Sequence, residues 1–154
     1  MNTFNFALIR PFIFLGILMT FTGNTGSAQT PEVWKVKAQE LMYTQLDSSI
    51  HYWQLLENWA TEQSDTATLV ETLNFLNLLY RMKGAVPNAV ATGNKLLPLL
   101  DHYPLPPKDL ANAYINIAMN LEFNNSSLCD SLCELAEDIA IELKDTSLLK
   151  DVIS

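Results

Sequence analysis

Glycine is scarce in this chain: there are five in 154 residues, and after Gly26 only Gly84 and Gly93. No glycine-rich loop that could cradle a phosphate can be built from them, and no nucleophile elbow. The two histidines, His51 and His102, stand far apart and unaccompanied, which leaves no zinc-binding helix pair. Ser48 and Ser49 beside His51 are neighbours on one helix rather than a catalytic geometry. Cysteine is limited to Cys129 and Cys133. At that spacing on a helix the Cβ atoms lie about 5–6 Å apart, whereas a disulfide wants roughly 3.8 Å; two small thiols packed between helices are expected. Basic residues are few, 9 against 17 acidic ones, for a net charge of −8. Such a surface repels phosphate backbones and argues against a nucleic-acid partner. Strict apolar–polar alternation is missing throughout, so strands are not expected.

The one long apolar run lies at the beginning. Arg10 is the lone charge of the first 28 residues, Pro11 to Phe21 is apolar, and Gly26-Ser27-Ala28 is small. This is the pattern of a secretory signal peptide over residues 1–28, with cleavage expected after Ala28. An uncleaved anchor is the alternative, but a membrane span needs about 20 apolar residues and this run has about half that. Gln29 stands where a lipid-modified N-terminus would need cysteine. Of the 9 basic residues Arg10 leaves with the leader, which takes the net charge from −8 to −9. The mature chain, residues 29–154, is expected to be exported, to periplasm or medium, and to contain no membrane segment.

What that mature chain does have is helical periodicity. Leu110, Ala113, Tyr114, Ile117, Ala118 and Leu121 form one stripe; Leu128, Leu132, Leu135, Ala136, Ile139, Ala140 and Leu143 form another. Leu69 to Tyr80 is apolar nearly all round, as suits a helix with neighbours on several sides. Helices are predicted near 31–45, 47–63, 66–83, 86–102, 107–123 and 127–144, with a seventh from about 146. Asp47 and Asp65-Thr66 open two of them, with Thr68 and Glu71 as a capping box. Gly84 closes one, Asn124-Asn125-Ser126-Ser127 caps another, and Pro98 predicts a kink or early end. Short links of two to five residues force antiparallel neighbours.

Ser49, Ala89 and Cys129 are small residues at intervals of forty, each near the start of an apolar stripe. Leu56, Leu96 and Ala136 keep the same step, and Asp65-Thr66-Ala67-Thr68-Leu69 is echoed by Asp145-Thr146-Ser147-Leu148-Leu149 two steps on. A repeated helix–turn–helix unit is the reading; an unrelated six-helix bundle is the alternative.

These residues resemble tetratricopeptide repeats of long period. Leu79-Tyr80-Arg81-Met82-Lys83-Gly84 is similar to the end of the family's first helix, Ala89 to its small crossing residue, and Lys95-Leu96-Leu97 to its second helix. Ala113 to Ala118 and Ala136 to Asp145 resemble the two helices of the next unit; the first unit, Val33 to Asp65, rests on Asp47-Ser48-Ser49-Ile50. Asn77, Leu96 and Pro98 depart from the pattern. The resemblance implies an all-α, right-handed solenoid of antiparallel helix pairs, about three repeats and a terminal half-repeat, with first helices lining a concave face. It implies binding of another protein or peptide segment, no reaction and no cofactor. The expected inner face carries Glu71, Asn74, Phe75, Leu78, Arg81, Asn112, Ile115, Asn116, Met119 and Glu122. One arginine and no lysine suit a helix or an extended segment better than an acidic peptide tail.

Two other readings accompany this one. Signal peptides followed by long-period repeats resemble the outer regions of bacterial repeat-fronted histidine kinases and helix-turn-helix regulators, so the chain could be the sensory front of such a signalling protein. The terminal helix from Thr146, with Leu148, Leu149, Val152 and Ile153 and no second helix to cover it, also suits self-association through the C-terminal edge. Asp130, Glu134 and Asp138, with Glu137 and Glu142 beside them, read as a solvated face rather than a metal site.

Overall fold

The computed structural model describes residues 30–103, 105–121 and 126–153. The expected leader, the Asn124-Asn125 turn and Glu122 lie outside them. Among the described residues the chain is all-α, with seven helices: α1 Pro31–Leu41, α2 Leu46–Glu62, α3 Thr66–Met82, α4 Val86–Leu100, α5 Pro107–Leu121, α6 Ser126–Leu143 and α7 Thr146–Ile153.

The second helix of each pair keeps the forty-residue step: α2, α4 and α6 begin at Leu46, Val86 and Ser126. Ser49, Ala89 and Cys129 are each the fourth residue of their helix. The first two are fully buried where paired helices cross. Ser49 Oγ donates to the Ala38 carbonyl at 2.6 Å, and Asn77 Nδ2 donates to the Ala89 carbonyl at 2.7 Å. A small side chain at the crossing lets the partner backbone come within hydrogen-bonding reach. Cys129 is half-buried against the central core, and no disulfide joins it to Cys133.

Three helices end in the same way. Ser64, Gly84 and Lys144 adopt φ of 55°, 72° and 54°. The amide of the next residue then reaches back to the carbonyls of Ala60, Tyr80 and Ala140 at 2.8–3.0 Å. This is the Schellman closure, which satisfies carbonyls the helix leaves open. Asp65 and Asp145 follow two of these closures as N-caps. Asp65 accepts from the Thr68 amide, and Asp145 from the amides of Ser147 and Leu148, all at 3.1 Å.

Local expectations needed three corrections. α2 starts at Leu46, not Asp47, and its N-cap Gln45 makes no side-chain cap bond. Asp47 sits inside the first turn, where the helix dipole favours a carboxylate, and pairs with Lys83 at 2.5 Å. Glu71 forms no capping box; it reaches across to Lys35 of α1 at 2.6 Å. α4 continues through Pro98 to Leu100, two residues short of the expected end. Pro98 is exposed, while Leu96 and Leu100 are buried on the opposite side and hold the last turn in place. The link from α4 to α5, residues 101–106, is accordingly longer than expected.

The interior is three clusters in a row rather than one core. The first joins Ala38, Met42, Ile50, Trp53, Leu56, Leu76 and Leu79. The second joins Val70, Leu73, Leu96, Leu100, Ala113, Ile117, Ala118, Leu121 and Leu132. The third joins Ala111, Ile115, Ala136, Ala140 and Leu148. α3 supplies the first two and α5 the last two, which is why α3 is apolar nearly all round. Helices pack on their sequence neighbours; α3 also touches α5, and α5 touches α7, whereas the backbones of α2, α4 and α6 stay apart and α2 and α4 are bridged by the Lys95–Glu57 ion pair. The first helices thus form the closer-packed side of a solenoid of helix pairs.

Ion pairs also link successive repeats. Lys35–Glu71, Lys83–Asp47, Lys95–Glu57 and Lys108–Asp145 each bridge one repeat to the next at 2.5–2.7 Å. Their side chains are partly exposed, so each adds little to stability.

A mixed cleft between the first helices

α3 presents Glu71, Asn74, Phe75, Leu78 and Arg81 at helical spacing, and α5 presents Asn112, Ile115, Asn116 and Met119 opposite them. Between the two helices lies a cleft of about 570 Å³ lined by Glu71, Asn74, Phe75, Leu78, Arg81, Asn112 and Asn116. Leu105 and Pro106 of the link and Asp109 of α5 close one end of it. A second cleft of about 290 Å³ adjoins it, sharing Arg81, Asn112 and Asn116 and adding Ile115, Met119 and Asp151 of α7. Every residue expected on the inner face except Glu122, which is not among the described residues, lines one of the two. Leu105, Pro106, Asp109 and Asp151 were not expected there. Proline at a helix start marks the link, and Asp151 follows from continuing the first-helix stripe into α7.

The walls differ in stiffness. Phe75 stacks on Trp53 with ring centroids 4.4 Å apart and planes 10° apart. Trp53 is fully buried, so the phenyl ring is backed by the first core. On the α5 side the support is polar: Asn120 Nδ2 donates to the Asn116 carbonyl at 2.7 Å and lies 3.5 Å from Asn77 Oδ1. Asn77 and Asn120 are buried, and their amides are held by main-chain carbonyls. Gly93 fits closely here, since a Cβ would stand 3.2 Å from Asn77 Nδ2 and 3.4 Å from Ile117.

Asn116 is different. It is 8% exposed, it lines both clefts, and among the described residues no hydrogen bond engages its side-chain amide. Its amide opens into the clefts, where it can meet water or a ligand; the fully buried side-chain atoms without a partner among the described residues are Trp53 Nε1 and Thr72 Oγ1.

The electrostatics are uneven. Glu71 is matched by Lys35, and among the described residues no ion pair engages Arg81. Near the α7 end the hydrogen bond that Lys108 donates to the Asp145 carboxylate holds its ammonium above the usual range, and the charges of Asp145, Asp109 and Asp151 push the same way. Asp145 in turn is held well below the carboxylate range, first by Lys108, then by Ser147 and the Leu148 amide. Elsewhere on α5, burial pushes the Tyr114 hydroxyl up, with Asp101 adding to it.

No family model and no curated protein matches this chain. What the site can do therefore rests on its lining. Among the described residues that lining holds amides, carboxylates, one guanidinium and apolar groups, and no Ser, Thr, Cys, His, Lys or Tyr. No group of three His, Cys, Asp or Glu able to hold a metal occurs among the described residues, and none of their helices is long and apolar enough to cross a membrane.

Proposed function

We propose that this is an exported, tetratricopeptide-like binding module that holds a segment of another protein between its first helices and performs no reaction of its own. The observation that carries this reading is Asn116: a largely buried residue whose amide opens into two adjoining clefts, with no hydrogen-bond partner among the described residues. Asn74 and Asn112 flank it, and Phe75 and Leu78 give an apolar floor. Amides that offer a donor and an acceptor together suit peptide groups, and apolar floors suit side chains. The lining contains recognition groups and no hydroxyl, thiol, imidazole or amine side chain. The leader pattern of residues 1–28 supports export, and the forty-residue step of α2, α4 and α6 supports the family likeness.

A photo-cross-linking amino acid placed at Asn112 in living cells tests this, with the exposed Glu137 of α6 as control. Discrete protein adducts from position 112 and not from 137 are expected. Identical patterns from both positions, or none from either, would refute a binding role for the cleft. Exported protein beginning at Gln29 is expected on N-terminal sequencing.

A further inference from the structure

We infer that the segment held in the cleft crosses the α4–α5 link and places an aromatic side chain, Phe, Tyr or Trp, in a notch on its far side; this rests on the function proposed above and specifies its ligand. The notch has a volume of about 310 Å³ and is lined by Ala67, Val70, His102, Tyr103, Leu105 and Pro106. Leu105 and Pro106 also close the end of the larger cleft, so one pair of residues parts the two spaces. Along α3 the two spaces are successive. Ala67 stands one turn before Glu71, on the stripe that continues through Asn74 and Leu78. Pro106 is exposed and Leu105 half-buried, so the partition stands at the surface and a chain can pass over it. From Ala67 to Arg81 the α3 face is roughly 21 Å long at ~1.5 Å per residue, a length that about six residues of extended chain cover.

The chemistry of the notch selects the side chain. Val70 is buried in the central core and Leu105 packs on that core, so the floor is apolar and firmly backed. Three rings surround it, those of His102, Tyr103 and Pro106. Tyr103 is 47% exposed, and among the described residues no aromatic ring stacks on it. The amides of His102 and Tyr103 both donate to the Leu99 carbonyl, at 3.1 and 2.9 Å, and the Leu110 amide donates to the Pro106 carbonyl at 2.9 Å. Backbone tied to helix ends therefore carries the rings on both sides. Aromatic rings pair offset or edge-to-face at about 4.5–7 Å between centroids. A ring entering the notch can take that place against Tyr103 and rest on Ala67 and Val70. Among the described residues the lining holds no carboxylate, guanidinium or ammonium to receive a charged side chain.

The test is selection of random phage-displayed peptides on the full-length protein, with parallel counter-selection on Tyr103→Ala and on Asn112→Ala and sequencing of the differences. Peptides lost on both variants are expected to carry Phe, Tyr or Trp about threefold or more above the library frequency. Tyr103→Phe is expected to retain them, and Ala67→Gln, an exposed substitution that fills the floor, to lose them as Tyr103→Ala does. Peptides lost on Asn112→Ala but kept on Tyr103→Ala and Ala67→Gln would overturn the notch and leave the binding function standing. Separate sets, each lost on one variant alone, would overturn the crossing of the link. A set lost on both without aromatic enrichment would overturn the choice of side chain. No set lost on Asn112→Ala, with that variant folded by circular dichroism, would overturn both the notch and the function on which it rests.

Discussion

The seam between the first and second repeats and the seam between the second and third are built differently. At the first, a three-residue link takes the chain from α2 straight into α3, and Trp53 stacks on Phe75. At the second, six residues separate α4 from α5, α4 meets α5 more sparsely, and small residues and amides fill the gap: Gly93, Ala113, Ala118, Asn77 and Asn120. A tight link and a bulky ring give a closed joint. A longer link and buried amides leave room beside the link, and the larger cleft opens there, with Leu105 and Pro106 as its end wall. The closed joint and the cleft fall at successive seams, and α3 belongs to both.

The largest effect is expected at the closed seam. Trp53→Ala removes a fully buried ring and should destabilise by about 3–5 kcal/mol in urea denaturation. Asn77→Ala at the open seam removes the buried amide that donates to the Ala89 carbonyl and should cost about 1–3 kcal/mol. Equal costs would break the contrast. Gly93→Leu sharpens it, since crowding against Asn77 and Ile117 should cost about 1–3 kcal/mol and should weaken any cleft ligand in a binding titration.

Smaller effects are expected at the closures. Ser64 and Lys144 are exposed and adopt positive φ without being glycine. Left-handed backbone costs a side-chain-bearing residue roughly 1–2 kcal/mol, part of which glycine gives back as unfolded-state entropy. Ser64→Gly and Lys144→Gly should each raise the thermal midpoint slightly, and Gly84→Ala should lower it.

The smallest expected effect is on pH dependence. Asp65 and Asp145 both have carboxyls held below their ordinary value of 3.8, Asp65 by Thr68 and Asp145 first by Lys108. A carboxylate depressed in the folded state stabilises above its unfolded value, and that stabilisation fades as pH falls through the folded one. Urea midpoints followed from about pH 6 down to about pH 2 should therefore decline. Asp145→Asn should flatten the decline more than Asp65→Asn, because Asp145 also answers a lysine of the preceding repeat.

Much of this architecture was legible because it obeys a period. Helix type follows from apolar stripes, and the forty-residue step located Ser49, Ala89 and Cys129 at equivalent places. The inner-face residues of α3 and α5 follow from the same stripe logic. What escaped was whatever depends on a second element. Glu71 looked like half of a capping box because Thr68 lies nearby in sequence, yet Lys35 lies 36 residues before it and closer in space. The register itself holds that signal, since opposite charges one repeat apart face each other. Pro98 was overread: on an exposed side, with Leu96 and Leu100 buried behind it, one missing amide does not end a helix. Leu105, Pro106 and Asp151 enter the cleft through a link and a further helix, neither of which a single stripe encodes, and Asp109 extends the α5 stripe by one turn at its start.

The three identical closures at Ser64, Gly84 and Lys144 make the fold splice-ready. The backbone leaves residue 64 and residue 144 with the same handedness and meets an aspartate cap each time. A duplicate of residues 65–144 inserted after Lys144 would begin where Asp145 now begins, with its ion-pair partners one unit upstream. Lengthening by copying, without redesigning a joint, is written into the geometry of those turns.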